Sequence, residues 1–233
     1  TRRGSQAKPQ GEEEGDDGEA KILELPRGKL ALTKDPRVWS RSIPPLVQPY
    51  KRVLGLDLAS NCGASFCDVM QHQPITAAPI IGGQWNLSVG PHDTNSIRYV
   101  RLKTFLDLTF PSVVLYEEVK YTAAQGVPGM KQNLAALVAR AVSGAQVVHG
   151  LSAILVTWCE ENDVPCQSVP IGVLKKYATG KGNAGKELMI AACNAQFGTE
   201  FDMETYESTG ADNIADSMFL CHMGVQNYAG GLG

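Results

Sequence analysis

The chain has 233 residues, 43% hydrophobic and 19% charged, with a net charge of −3. That suits one globular domain with a real core plus an appendage. No apolar run approaches the roughly 20 residues of a membrane span, and the N-terminus shows no secretory-signal pattern. Three of the 21 basic groups and six of the 24 acidic groups fall in the first 20 residues. The remainder is therefore balanced, and overall charge neither supports nor excludes a nucleic-acid partner; its distribution over the surface does.

Residues 1–20, rich in Gly, Glu and Asp, read as a disordered tail. Residues 21–50 carry Pro26, Pro36, Pro44, Pro45 and Pro49, too many for a helix. An extended arm is expected there, pinned to the body by Trp39 and Leu46, with the folded domain spanning 51–233. The run 52–59 (RVLGLDLA) predicts a buried strand, and 63–70 a hairpin partner after a tight Asn61-Cys62-Gly63 turn. A third strand is expected over 82–89. Helical spacing covers 94–110, a strand follows at 112–119, and a long helix at about 142–162. A short strand at 165–169 precedes helices near 171–178, 184–197 and 211–226. Three antiparallel strands followed by βα units define an α/β domain with a mixed sheet.

The six cysteines (Cys62, Cys67, Cys159, Cys166, Cys193, Cys221) form no CxxC pair and no zinc spacing. They read as reduced core thiols of a cytoplasmic protein. The four histidines show no ligand spacing, and His222 reads as core or helix surface.

The acids carry more information. Asp57 ends an apolar strand, where an unpaired carboxylate is costly. Glu117 and Glu118 end another strand and face opposite sides, so at most one of them joins Asp57. Asp212 and Asp216 lie one turn apart on the last helix and share a face. Asp212 suits the helix N-terminus as a cap equally well; Asp216, inside the apolar part, does not. Carboxylates from two strand ends and one helix face make an oxygen-rich cage suited to Mg²⁺ or Mn²⁺. Two such ions serve in-line displacement at phosphorus, and they would relieve the Asp212/Asp216 repulsion.

The segment 180–186 (GKGNAGK) fits G-x-G-x-x-G and nearly fits a phosphate-binding loop. A helix precedes it, however, and Glu187 follows Lys186 where Ser or Thr is required. Its glycines still let backbone N–H groups approach a phosphate, with Lys175, Lys176, Lys181 and Lys186 adding charge. Such contacts position DNA without reading its sequence.

In this order the motifs resemble the RuvC group of Holliday-junction resolvases, within the RNase H-like nucleases, and most resemble phage-type members. VLGLDLASNCGASFCDV resembles the family's first hairpin, with the catalytic aspartate at Asp57. SVVLYEEV resembles its strand-Glu segment and assigns the acid role to Glu117. TGKGNAGK, preceded by a Pro-to-Lys segment, is similar to the family's Thr-Gly-x-Gly-x-Ala-x-Lys and places family lysines at Lys175 and Lys186. DNIADSMFL resembles the terminal acidic helix; many members have acids three residues apart there, where this chain has Asn213 and Asp216. Asp212 is preferred to Asn213 as the fourth ligand. The aromatic that stacks on DNA in some members falls at Lys120, with Tyr121 as a substitute.

The resemblance, over about 52–226, implies an RNase H-like fold and a homodimer built on the long helix. It implies Asp57, Glu117, Asp212 and Asp216 holding two Mg²⁺ ions, with Lys186 catalytic. Lys175, Lys176, Lys181, Lys186 and Tyr121 would contact branched DNA, and hydrolysis would leave 5′-phosphate and 3′-hydroxyl ends. Three alternatives stand beside this reading: an RNase H-like nuclease for flaps or hybrids, an actin-like ATPase or kinase, and a non-catalytic branched-DNA binder. The second lacks room for its usual domain duplication. The third would gain nothing from concentrated negative charge beside phosphate.

Overall fold

The computed structural model describes residues 46–47, 50–70, 79–119 and 134–229. Trp39 and nearly all of the arm lie outside these residues, while Leu46 is half-buried. In chain order the elements are β1 (Lys51–Asp57), β2 (Asn61–Val69), β3 (Ile81–Asn86), α1 (Ile97–Thr109), β4 (Val113–Glu117), α2 (Leu134–Glu161) and β5 (Cys166–Val169). They continue with α3 (Ile171–Thr179), α4 (Lys186–Phe197), α5 (Tyr206–Thr209) and α6 (Ala211–Ala229). The five strands form one sheet in the order β3-β2-β1-β4-β5. β1, β2 and β3 pair antiparallel, and β1–β4 and β4–β5 parallel. This is the mixed, helix-flanked sheet of the RNase H-like fold expected from the sequence.

Three local expectations are corrected. Asn61-Cys62-Gly63 is not a turn but the start of β2, with Gly63 opposite Asp57; the chain reverses through residues 58–60. Gly63 is a glycine of close approach, since a Cβ there would overlap the carbonyl of Asn213 on α6. The long helix begins at Leu134 rather than near 142, because its first turns are rich in Ala, Leu and Val with no clear 3.6-residue edge. The single-turn α5 has no periodicity to announce it.

Strand alternation gives the sheet two different faces. On one, Leu54, Leu56, Ala64, Phe66 and Val114 pack against Leu102 and Phe105 of α1 and Leu151, Leu155 and Trp158 of α2. On the other, Leu115 and Val169 meet α3, α4 and α6 through Leu174, Ile190 and Phe219, while Val53 and Cys67 meet Cys221 and Val225. α6 lies across β1, β2 and β4 at unusually short range. A Cβ at Gly55 would overlap the Ser217 carbonyl, and the Ser65 and Ser217 hydroxyls share a hydrogen bond of 2.6 Å. All six cysteines are free thiols, five of them buried. Among the described residues no helix is long and apolar enough to cross a membrane.

The sheet end remote from Asp57 is locked by Arg52, which is only 1% exposed. Its Nε and Nη2 donate to the two oxygens of Asp68 at 2.7 and 2.6 Å. Nη1 donates to the Thr109 carbonyl at 3.1 Å, and the guanidinium lies 4.5 Å from the Phe66 ring centroid. Removing one partner of a buried pair leaves the other charge uncompensated. Asp68→Ala is therefore expected to cost about 3 kcal/mol in urea unfolding; a loss below about 0.5 kcal/mol would show that the guanidinium finds other compensation.

Candidate active site

The alternation that builds the core also sorts the acids. Asp57 has the same parity as Val53 and Gly55, whose surroundings are α6, so its carboxylate stands on the α6 face. Glu117 shares the parity of Val113 and Leu115 and stands on that face too. Leu56 pairs with Tyr116, so the two acids follow side by side at the C-terminal ends of adjacent parallel strands. Glu118 has the opposite parity, and its charge acts on Tyr116. α6 then brings Asp212, in its first turn, and Asp216, one turn later, over the same strand ends.

The electrostatics reflect the same clustering. Burial, then the charges of Asp216, Glu117 and Asp212, hold the Asp57 carboxyl well above the usual range, only partly offset by Lys186. Asp216 is pushed up to about 7, first by burial and then by Glu117 and Asp212, against the opposing charges of Lys175 and Lys186. Burial also raises Glu117, with Lys175 opposing. Asp57, Glu117 and Asp216 are thus raised together, with Asp212 among the charges that raise Asp57 and Asp216.

Lys186 supplies the compensation nearest to hand. Its ammonium lies 2.9 Å from Asp212 Oδ2 and 3.2 Å from Glu207 Oε1, and the hydrogen bond to Asp212 leads the upward shift of its pKa. Lys175, half-buried on α3, faces Glu117 and Asp216 electrostatically. Lys176 and Lys181 are exposed. Lys120 and Tyr121 lie outside the described residues. The glycine loop runs between two helices, with Gly180 (φ 77°) as the left-handed cap of α3 and Gly185 as the N-cap of α4. It has no strand before it and so lacks the strand–loop–helix geometry of a nucleotide cradle.

The donor chemistry is all oxygen and negatively charged, which fits a hard divalent cation. In the present arrangement no three Asp, Glu, His or Cys side chains among the described residues are drawn together closely enough to enclose one. Instead, the tethered ammonium of Lys186 occupies the side of Asp212. His222 is no part of this site: its Nδ1 shares a hydrogen bond of 2.7 Å with the Tyr177 hydroxyl, and its ring meets Phe197 edge-on.

Sequence reasoning missed two features. Glu207, the second partner of Lys186, sits on α5, a one-turn helix with no legible pattern. The other is a polar cleft of about 320 Å³ beside Lys186 and Asp212, lined in part by Asn61, Gln84 and Asn86 at the ends of β2 and β3. Only the pairing of Asn61 with Asn86 brings these together, and pairing register is invisible in a single strand's sequence.

Sheet order and connection pattern are those of an RNase H-like fold. Within that class the chain's fold is that of RuvC. RuvC of Thermus thermophilus in complex with a Holliday junction substrate superposes with a TM-score of 0.51 at 16% identity, over 77% of this chain and 94% of that one. The T. thermophilus RuvC structure matches with a TM-score of 0.51 at 15% identity, over 78% and 97%. The yeast mitochondrial Holliday junction resolvase Ydc2 gives 0.47 at 16% identity, over 85% and 90%. No protein-family model and no curated protein sequence matches the chain.

Proposed function

We propose that the protein is a metal-dependent, structure-selective DNA endonuclease that resolves four-way junctions by paired symmetric nicks, leaving 5′-phosphate and 3′-hydroxyl ends. The observation that carries this reading is the clustering of Asp57, Glu117, Asp212 and Asp216 at one end of the sheet, with Lys175 and Lys186 beside them. Support comes from the fold, which is shared with a RuvC solved on a Holliday junction substrate.

Asp57, Glu117, Asp212 and Asp216 would hold two Mg²⁺ ions, with Mn²⁺ as a substitute; when bound, such ions supply activation of water and charge compensation for the leaving oxygen. The chain's own part is positional. Asp57 anchors the cluster from the rigid centre of the sheet, because β1 is paired on both sides. Lys186 holds the scissile phosphodiester once its ammonium leaves Asp212. Lys175, Lys176 and Lys181 steady the flanking backbone by charge, and Tyr121 offers a stacking surface. Paired cuts need two active sites, so the working unit is a homodimer, for which α2 offers a long face, acting in the cytoplasm.

The test is cleavage of a labelled synthetic four-way junction beside linear duplex, flap and RNA–DNA hybrid, with Mg²⁺, with EDTA and with Asp57→Asn. Symmetric nicks on the junction alone, abolished by EDTA and by the substitution, are the expected result. Preferential cutting of the flap or hybrid would keep the nuclease and discard the junction. Tight junction binding with no cleavage under either metal would make the protein a structural binder.

A further inference from the structure

The six free thiols are not equivalent. Cys62 donates to the Gly63 carbonyl at 3.4 Å, Cys221 to the Val53 carbonyl at 3.5 Å and Cys193 to the Met218 sulfur at 3.8 Å. These three and Cys67 are buried, and burial pushes all four thiols up. A buried thiol held in its neutral form is inert. Cys159 and Cys166, on the opposite side of the sheet from α6, form a pair of another kind.

Cys159 lies in the last turn of α2, and Cys166 opens β5. The turn between them is tight. Asp163 takes a left-handed φ of 55°, and the Val164 N–H returns to the Cys159 carbonyl at 2.9 Å. The start of β5 is thereby set against the end of the helix, and both side chains pack in one core cluster. There the two thiols share a hydrogen bond, and the charges of both act on Tyr116. The bond lowers the Cys159 thiol below its ordinary value and raises Cys166, so the pair titrates as a unit and a single negative charge is shared across it. Of the six cysteines, Cys166 alone is partly open to solvent. The pair therefore has an outer sulfur that meets an oxidant and an inner one beside it that resolves the product, the arrangement of a redox-sensitive dithiol.

We propose that Cys159 and Cys166 are an oxidisable modification site, which closes into an intramolecular disulfide and staples the end of α2 to the edge strand β5. The oxidant is a peroxide, and hydrogen peroxide serves as the example. The Cys166 sulfur attacks one peroxide oxygen, the O–O bond breaks, and Cys166 becomes a sulfenic acid with release of one water. The Cys159 sulfur then attacks the Cys166 sulfur and the S–O bond breaks. The departing hydroxyl leaves as a second water with the Cys159 proton. The dithiol loses two electrons and two protons, and the peroxide becomes two waters. A small dithiol reverses the step by thiol–disulfide exchange. The site stands apart from the acids and lysines, so it does not depend on the nuclease reading.

The test exposes the folded, full chain to hydrogen peroxide, alkylates the remaining thiols without reduction, and cuts the protein after glutamate. Glu160 and Glu161 lie between the two cysteines, so their peptides part in the reduced protein and stay joined in the oxidised one. The expected product is a monomer lighter by two hydrogens, with Cys159 joined to Cys166, the other four cysteines alkylated, and full reversal by dithiothreitol. Cys159 and Cys166 should be lost at least about tenfold faster than any other thiol. Dimedone, which traps sulfenic acids, should label Cys166 in Cys159→Ser but neither cysteine of the pair in the wild type. Peptide mapping of the wild type decides the matter even where a variant fails to fold. The proposal is overturned by a cross-link between any other pair or between chains. It is overturned equally by a Cys166 sulfenic acid that persists in the wild type, or by loss of all six thiols at one rate.

Discussion

Asp57→Asn is expected to abolish junction cleavage and, at the same time, to make the metal-free protein more stable. The loss of rate is about 10³-fold or more, the scale of removing a preorganised charged group from an active site. The gain in stability is about 1–3 kcal/mol at neutral pH, because the substitution removes a buried carboxylate that burial and three neighbouring acids disfavour. Metal-free stability should also fall as pH rises. The folded chain holds protons on Asp57, Glu117 and Asp216 that the unfolded chain has already released, so the native state binds more protons and stability decreases with pH. For Asp216 the contribution is fully present below the ordinary carboxylate pKa near 4 and is lost as pH passes about 7; it amounts to about 4 kcal/mol. Thermal melts in EDTA from pH 4 to 8, for the wild type and the Asp57→Asn variant, measure this. A wild type that gains stability across that range, or a variant no steadier than the wild type, would mean that the acids are not held together as described.

The second large effect is on the fold. Gly63→Ala is expected to cost at least about 3 kcal/mol, because the new Cβ would meet backbone, the Asn213 carbonyl, rather than a side chain able to rotate away. Relief requires α6 to move off β2, and Asp212 and Asp216 ride on α6, so cleavage should fall with stability. The control is Gly144→Ala on α2, where a Cβ would meet nothing within 4 Å. That change should be neutral or stabilise by up to about 1 kcal/mol through helix propensity. Equal melting temperatures for the two variants would contradict the packing of α6 on the sheet.

How far the sequence carried the reading depended on whether a signal was local. The strands, most of the helices and the order of the acids were legible because each rests on periodicity or on a carboxylate in an apolar run. Parity alone narrowed Glu117 and Glu118 to one and the resemblance assigned Glu117; the register of β1 with β4 sets that residue beside the end of β1. Gly63 was misread because a glycine soon after Asn signals a turn locally, whereas its reason lies on α6, near the other end of the chain. The ion pair of Lys186 with Asp212 and Glu207, and the amides around Gln84, exist only once β2, β3, α4, α5 and α6 have met. No window of sequence holds them together.

The tethered ammonium of Lys186 has a consequence for any titration of this protein. A divalent ion approaching Asp212 does not enter vacant space; it competes with an internal counter-ion that travels with the chain and cannot be dialysed away. Apparent affinity then reports the difference between two cations rather than the strength of one. Under the proposed function, a strand of DNA that offered the ammonium a phosphate would remove the competitor and link metal and nucleic acid through the same carboxylate.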